Sequence, residues 1–310
     1  MIRTEKLTKA FGKDRGVYDL DLEVPKGMIY GFIGHNGAGK TTTIKLLCGL
    51  LKPDSGRMFI GDLEVIPKNI PKIKRRIGYM PDITGVYDQM SVWEFLDFYG
   101  AAFKIPAQER KKRVEAALEI TNSMDMMDYQ LTSLSRGMRQ RVGLAKTLVH
   151  DPEVLILDEP AGGLDPNARY EMRQTIDRLS GLGKTILLSS HILPELSTVC
   201  DRVGIISKGK LLAQGTVKEI SQRLQENIVI TISVDSEVER VGELLEGFSG
   251  IESIKLVDQF QAQCVFNGSR EQVSAVLRKL VEHGVKVRWF AEDEADLENV
   301  FMNITNREGA

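Results

Sequence analysis

Residues 34–42 read GHNGAGKTT, and no other stretch restricts the fold of this chain as tightly. The spacing matches G-x-x-x-x-G-K-[ST] through Gly34, Gly39, Lys40 and Thr41. The apolar run Met28–Ile33 before it reads as a short strand, and Thr42–Leu51 after it as a helix. Glycines let the backbone curl until several N–H groups point at one anion, and a helix start adds unpaired N–H groups and a positive dipole end. The expected phosphate cradle is Gly34, Asn36, Gly37, Ala38, Gly39, Lys40, Thr41 and Thr42. Lys40 would bring a mobile charge to the β- and γ-phosphates of a nucleotide, and the Thr41 hydroxyl a ligand for Mg²⁺.

At 310 residues the chain suits one large domain and a smaller one. Its charge is uneven. Residues 225–310 hold 16 acidic and 8 basic side chains, whereas the whole chain is only −2, so the first part carries +6. This places a boundary near residue 222, giving expected domains 1–222 and 223–310. An excess of +6 over some two hundred residues fits a solvated surface better than a nucleic-acid face. No apolar run approaches the ~20 residues of a membrane span, and the opening MIRTEKLTKAFG does not read as a signal peptide. Three cysteines without C-x-x-C spacing favour free thiols in a reducing cytosol, with Cys48 as core filler.

Strand-like and helix-like segments alternate through the first part. Ile2–Leu7, Tyr18–Val24, Ser55–Leu63, Arg76–Met80, Val154–Leu157 and Thr185–Leu188 read as strands, with a turn at Pro25-Lys26-Gly27. A helical region is expected from about 87 to 150. It includes a helix opened by the capping box Ser91–Glu94 and a charged helix over Pro106–Thr121, whose Val114, Ala117 and Leu118 face inward. Such alternation predicts an α/β fold with a mixed sheet core, a phosphate-loop NTPase whose ligands lie at the carboxyl ends of strands. After a polar helix near Val217–Gln225 the texture changes. Strands at Ile228–Ser233, Ile251–Val257, Gln261–Phe266 and Val285–Phe290, with helices at Val238–Glu246 and Glu271–His283, predict a small α+β domain in the order β-α-β-β-α-β. A last helix is expected over Ala295–Thr305.

Further chemistry surrounds the glycine loop. VLILDEP, Val154–Pro160, is an apolar strand that delivers two carboxylates at its end. Asp158 is placed for the Mg²⁺ shell and Glu159 to orient and deprotonate an attacking water. LSRGMRQR, Leu134–Arg141, puts Ser135 at a helix N-cap and Gly137 just inside. One chain then holds two anion-binding helix starts, and two chains facing head to tail would let each close the other's nucleotide.

The order of glycine loop, LSRGM, LILDEP, GGLD and SSH resembles the nucleotide-binding subunit of ATP-binding cassette transporters over about Met1–Glu219. LSRGM keeps Leu134, Ser135 and Gly137 of the family's LSGGQ and departs from it at Arg136 and Met138. The resemblance implies that Asp165 of GGLD lies in the loop crossing a dimer interface, where it also reads as an N-cap before Pro166. It implies that His191 contacts the γ-phosphate and that Phe11 stacks on adenine. It also implies that Asp82 stands where the family usually has a metal-reaching glutamine, and a carboxylate can serve the metal too. The wording of the motifs and the ending DLENVFMNIT are similar to the exporter-type (ABC-2) branch. The resemblance implies an ATP-hydrolysing homodimer, with ATP and Mg²⁺ as cofactors and no nucleic acid. It would lie on the cytoplasmic face of the membrane and drive a separately encoded membrane-spanning permease, docked through the helical segment near Tyr87–Lys112 with Trp93, Phe95, Phe98 and Tyr99.

The principal rival is a soluble cassette ATPase acting on ribosomes or DNA, although such chains carry paired cassettes or long coiled coils, and neither occurs here. A ligand-sensing regulatory module is a third reading, for which the C-terminal part offers no metal-ligand cluster. GTP chemistry is disfavoured by the lack of N-K-x-D. Lys40→Ala is expected to nearly abolish nucleotide turnover in a phosphate-release assay, and undiminished hydrolysis would sink the loop assignment.

Overall fold

The computed structural model describes residues 1–12, 15–83, 85, 89–191, 198–216, 218–220, 228–236, 238–268 and 270–292. The chain divides into two compact units, Met1–Val217 and Lys218–Ala310. The expected last helix Ala295–Thr305 and most of the polar helix Val217–Gln225 fall outside the described residues.

The first unit is built on two sheets. One comprises β1 (Ile2–Ala10), β2 (Gly16–Leu20), β3 (Glu23–Val24), β5 (Ser55–Ile60) and β6 (Leu63–Glu64) in the order β2-β1-β5-β6, with β3 also on β1. All its pairings are antiparallel. The other runs β11-β10-β4-β9-β8-β7, formed by β4 (Ile29–Ile33), β7 (Ile77–Met80), β8 (Val154–Asp158), β9 (Thr185–Ser190), β10 (Arg202–Ser207) and β11 (Lys210–Gly215). From β10 to β7 every pairing is parallel, and β11 closes the edge antiparallel. Every residue of β4, β8 and β9 is buried, as expected for strands covered on both faces.

Helix α1 (Lys40–Leu47) packs against β2, β5 and β8. Its Ile44, Leu46 and Leu47 join Ile2, Leu7, Phe32 and Ile156 in one core. After α2 (Ile70–Arg76), three helices pack on one another: α3 (Val92–Ala102), α4 (Ala107–Ile120) and α5 (Arg136–Leu148). The capping box forms as expected: Ser91 N–H donates to Glu94 Oε2 at 2.8 Å and Glu94 N–H to Ser91 Oγ at 3.2 Å. Val114, Ala117 and Leu118 are buried. Helix α6 (Pro166–Gly181) follows β8 and leads to β9.

Expected elements change their bounds, some of them for local reasons. The helix expected to reach Leu51 stops at Leu47, because Gly49 (φ +68°) turns left-handed. Gly49 N–H then donates to Leu46 O at 2.9 Å and Leu50 N–H to Lys45 O at 2.8 Å, the Schellman arrangement. The single strand expected over Ser55–Leu63 folds into a hairpin at Gly61-Asp62. Tyr18–Val24 breaks into β2 and β3. Between them the buried Thr4 hydroxyl donates to Leu20 O at 2.7 Å and accepts from Leu22 N–H at 2.8 Å, replacing the missing ladder bonds. The strand expected at Val285–Phe290 runs Val287–Glu292. The β10–β11 hairpin was not anticipated; it turns on Lys208 and Gly209, both at positive φ, as a two-residue I′ turn requires.

The second unit has one four-stranded antiparallel sheet, β13-β14-β12-β15, from β12 (Ile228–Val234), β13 (Ile251–Leu256), β14 (Gln261–Phe266) and β15 (Val287–Glu292). Helices α7 (Val238–Leu245) and α8 (Arg270–Glu282) complete the expected β-α-β-β-α-β order. Ile230, Ile232, Val234, Ala262, Cys264 and Phe266 form its core with Val241, Leu245, Val276 and Leu280. Cys48, Cys200 and Cys264 are free and buried.

The Thr4 bridge gives a test of this packing. Thr4→Val keeps the shape and orphans a buried N–H and a buried C=O, so it should cost about 2 kcal/mol. In a unit of this size that is a fall of roughly 4–8 °C in the first melting transition by calorimetry; an unchanged transition would contradict the bridge.

Candidate active site

Parallel pairing aligns the carboxyl ends of β4, β9, β8 and β7, with Ile33 opposite Ser190, Ser189 opposite Asp158, and Leu157 opposite Met80. The glycine loop, His191, Asp158, Glu159 and Asp82 therefore emerge along one edge of the sheet. In the loop Gly37 (φ +85°) and Gly39 (φ +113°) adopt backbone that side chains resist. Gly34 is required by contact, since a Cβ there would lie 2.5 Å from Ile206 O. Gly39 is the N-cap of α1 and carries no capping side chain, and the first turn holds no acid. The leading amides of α1 are thus left for an external anion.

Lys40 is buried, and its Nζ donates to Gly34 O at 2.6 Å and His35 O at 3.3 Å. The same Nζ lies 3.3 Å from Glu159 Oε1. The other carboxylate oxygen, Oε2, is 2.8 Å from His191 Nδ1. Glu159 is thereby held between a cation and an imidazole, on a backbone with φ +49°, an unusual conformation for a residue with a side chain. Ser189 fixes the neighbouring acid. Its buried hydroxyl donates to Asp158 Oδ1 at 2.7 Å and accepts Glu159 N–H at 3.0 Å. Ser189 went unnoticed in the sequence, where the SSH run drew attention only to its histidine.

Asp82 stands across from this pair. Burial, then the charges of Asp158 and Glu159, push its carboxyl above the ordinary range, while Arg136 and His191 draw it down. Tyr79, on the strand before it, is pushed up to about 12 by burial and by Asp158. Three acids whose charges oppose one another make a region that favours a cation. Among the described residues no cluster of three or more His, Cys, Asp or Glu side chains could hold a metal alone. The donors fit Mg²⁺ if hydroxyl and phosphate oxygens complete the shell, with Thr41 at the loop end.

A cavity of about 490 Å³ opens here, within the range of small-ligand sites. Phe11, Asn36, Gly37, Gly39, Lys40, Thr41, Thr42, Asp82 and Glu159 line it, as do His35 of the same loop and Arg15 and Gly16, for which the sequence held no signal. Phe11 is half exposed, with Lys9 Nζ 5.7 Å from its ring centre. Ser135, Gly137 and Asp165 do not line it. Ser135 caps α5, accepting Met138 N–H at 3.3 Å, and is exposed. Asp165 caps α6, accepting the Asn167 and Ala168 N–H groups at 3.0 Å each.

A second hollow of about 180 Å³ lies between the turn after α1, β7 and the helical region. It is lined by Leu50, Tyr79, Tyr99, Phe103, Lys146 and His150, among others. Phe103 and His150 stack at 3.8 Å, and Lys146 Nζ sits 5.2 Å from the Tyr99 ring centre. Burial lowers the proton affinity of both Lys146 and His150. Phe95 is buried in the core, whereas Phe98 is 44% exposed.

Residues 17–162 match the family model described as ABC transporter. Over 309 residues, 99% of both chains, the protein is 30% identical to the linearmycin resistance ATP-binding protein LnrL of Bacillus subtilis (strain 168). It is 37% identical over 306 residues to the bacitracin transport ATP-binding protein BcrA of Bacillus licheniformis, covering 98% of this chain and 97% of that one. The solved ATP-binding subunit of an ABC transporter superposes with a TM-score of 0.64 at 27% identity, over 72% of this chain and 92% of that one. None of the described helices is long and apolar enough to cross a membrane. With the cassette sheet, the phosphate loop and full-length likeness to transport ATP-binding proteins in hand, the chain belongs to the ATP-binding subunits of ABC transporters, in their exporter-type branch, and is an ATPase.

Proposed function

We propose that two copies of this chain close head to tail on two ATP molecules and that this closure drives a separate membrane-spanning permease. One observation carries the reading. Each chain has a phosphate cavity at the start of α1 and a second helix start, at Ser135 and Gly137 of α5, that lies outside the lining of that cavity. An exposed capping hydroxyl with a glycine beside it suits a phosphate brought by another chain. Two such chains, related by a two-fold axis, supply both halves of two equivalent sites.

The residues divide the work. The amides of Asn36–Thr42 and the Lys40 ammonium hold the β- and γ-phosphates, and Phe11 offers its face to the adenine. Thr41, Asp158 and Asp82 would hold Mg²⁺, which would neutralise charge on the phosphate oxygens. Lys40 Nζ lies within reach of Gly34 O, His35 O and Glu159. Phosphate competes for Lys40 and releases the Glu159 carboxylate to orient and deprotonate water. His191, already at its other oxygen, stays in reach of the γ-phosphate. Asp165 lies at the start of α6, on the loop expected to cross between copies. Closure is then a two-state element biased by the γ-phosphate.

The hollow beside α3 and α5 is the proposed seat of the permease, with Phe98, Tyr99 and Leu50 as its apolar contacts. The protein would accordingly sit on the cytoplasmic face of the membrane. Action on ribosomes or DNA finds no support in the full-length relatives, which are transport or resistance proteins by name.

Glu159→Gln should bind ATP with Mg²⁺, hydrolyse it at least ~100-fold more slowly, and double in mass by light scattering. A variant that stays monomeric at saturating ATP defeats the clamp reading. The same variant, isolated from membranes, should carry a multi-span protein; ribosomes or DNA in its place would favour the soluble alternative.

A further inference from the structure

Arg136 is the first residue of α5 and directly follows Ser135. Much of it faces solvent, yet its Nη2 donates to Gly162 O at 2.7 Å. The guanidinium fills the space over Gly163, where a Cβ would meet its Cζ at 2.4 Å, and Gly163 itself lies at φ +65°. A Cβ on Gly162 would in turn lie 3.4 Å from Glu159 Cβ and 3.7 Å from Asp82 Oδ1. The turn that Arg136 grips therefore passes between two acids of the site. The Arg136 charge also acts on the Asp82 carboxyl.

Four residues further on, and so on the same face of the helix, the buried Gln140 donates Nε2 to Asp82 O at 3.2 Å. Two side chains of α5 thus hold two separate loops of the site, after β7 and after β8. Between them Gly137 lies against α6, where an added Cβ would be 3.1 Å from Ala168 Cβ. The start of α5 cannot shift without displacing these neighbours.

We propose that Arg136 is a positioning residue that ties the start of α5 to the Gly162-Gly163 turn, so that the state of a chain's own Asp82–Glu159 site governs how it presents Ser135 to a second copy. The inference rests on the head-to-tail reading given above. A planar fork with several donors can hold a carbonyl and still face a carboxylate, whereas a lysine in its place keeps the charge and loses the fork. The contact is the physical link that coupling between two sites requires, an element whose placement both sites bias.

Arg136→Ala and Arg136→Lys test it, alone and combined with Glu159→Gln. In nucleotide-free protein, amides 161–165 of Arg136→Ala should exchange hydrogen about 5-fold faster, with β4 and β8 unchanged. In ATP hydrolysis, kcat should fall about 10-fold with KM within about 2-fold, and the Hill coefficient should move toward ~1. Arg136→Lys should be intermediate in each measurement and decides the matter if Arg136→Ala does not fold. ATP-dependent dimerisation of the Glu159→Gln, Arg136→Ala double variant should weaken about 10-fold relative to Glu159→Gln. Wild-type exchange, or an unchanged kcat and Hill coefficient, overturns the proposal. If Glu159→Gln alone never dimerises, the clamp reading has failed and takes this one with it; if it dimerises while the Arg136 variants remain cooperative, only the role of Arg136 is lost.

Discussion

Parallel hydrogen bonding between β4, β9, β8 and β7 is the constraint from which the site follows. Because these strands run the same way in adjacent register, the groups at their carboxyl ends are brought side by side however far apart they lie in sequence. Lys40 and Glu159 are 3.3 Å apart although more than a hundred residues separate them. The strands contribute chemistry only near their ends, through Asp158 of β8 and Ser189 of β9. The remainder of β4, β8 and β9 is buried and largely apolar, so water is kept from the floor of the site.

Polar contacts then organise the rim of the site into a connected set. Ser189 of β9 joins Asp158, the last residue of β8, to Glu159 just after it, and Glu159 joins Lys40 to His191. Gln140 and Arg136 extend the set into the helical region through Asp82 and Gly162. Each link is a hydrogen bond or, between Lys40 and Glu159, an ion pair, rather than a packed apolar contact. Such links are directional, and a phosphate at the loop would compete for the same donors.

The parts most legible in sequence were those with a strong local cause. VLILDEP announces a buried strand with acids at its end, and S-V-W-E announces a helix start, because hydrophobic runs and caps act over a few residues. Element bounds depart from the apolar pattern where a glycine acts against that spacing, as at Gly49, or where a side chain takes over ladder bonds, as Thr4 does at Leu20 and Leu22. The β10–β11 hairpin leaves little trace in sequence because its turn opens with Lys208 rather than the asparagine or aspartate that signals positive φ. The role of Ser189 and the grip of Arg136 on Gly162 depend on partners remote in sequence, and no periodicity records such a contact.

The left-handed backbone at Glu159 sets the needs of the fold against those of the chemistry. A glycine there would relieve strain of roughly 1 kcal/mol or more, and an asparagine would sit more easily than the glutamate. Either would remove the carboxylate between Lys40 and His191. Selection on foldedness alone would therefore carry position 159 away from glutamate, and under the proposed mechanism only selection on turnover would hold it. The residue proposed to activate the water is one that the rest of the protein has a thermodynamic incentive to discard.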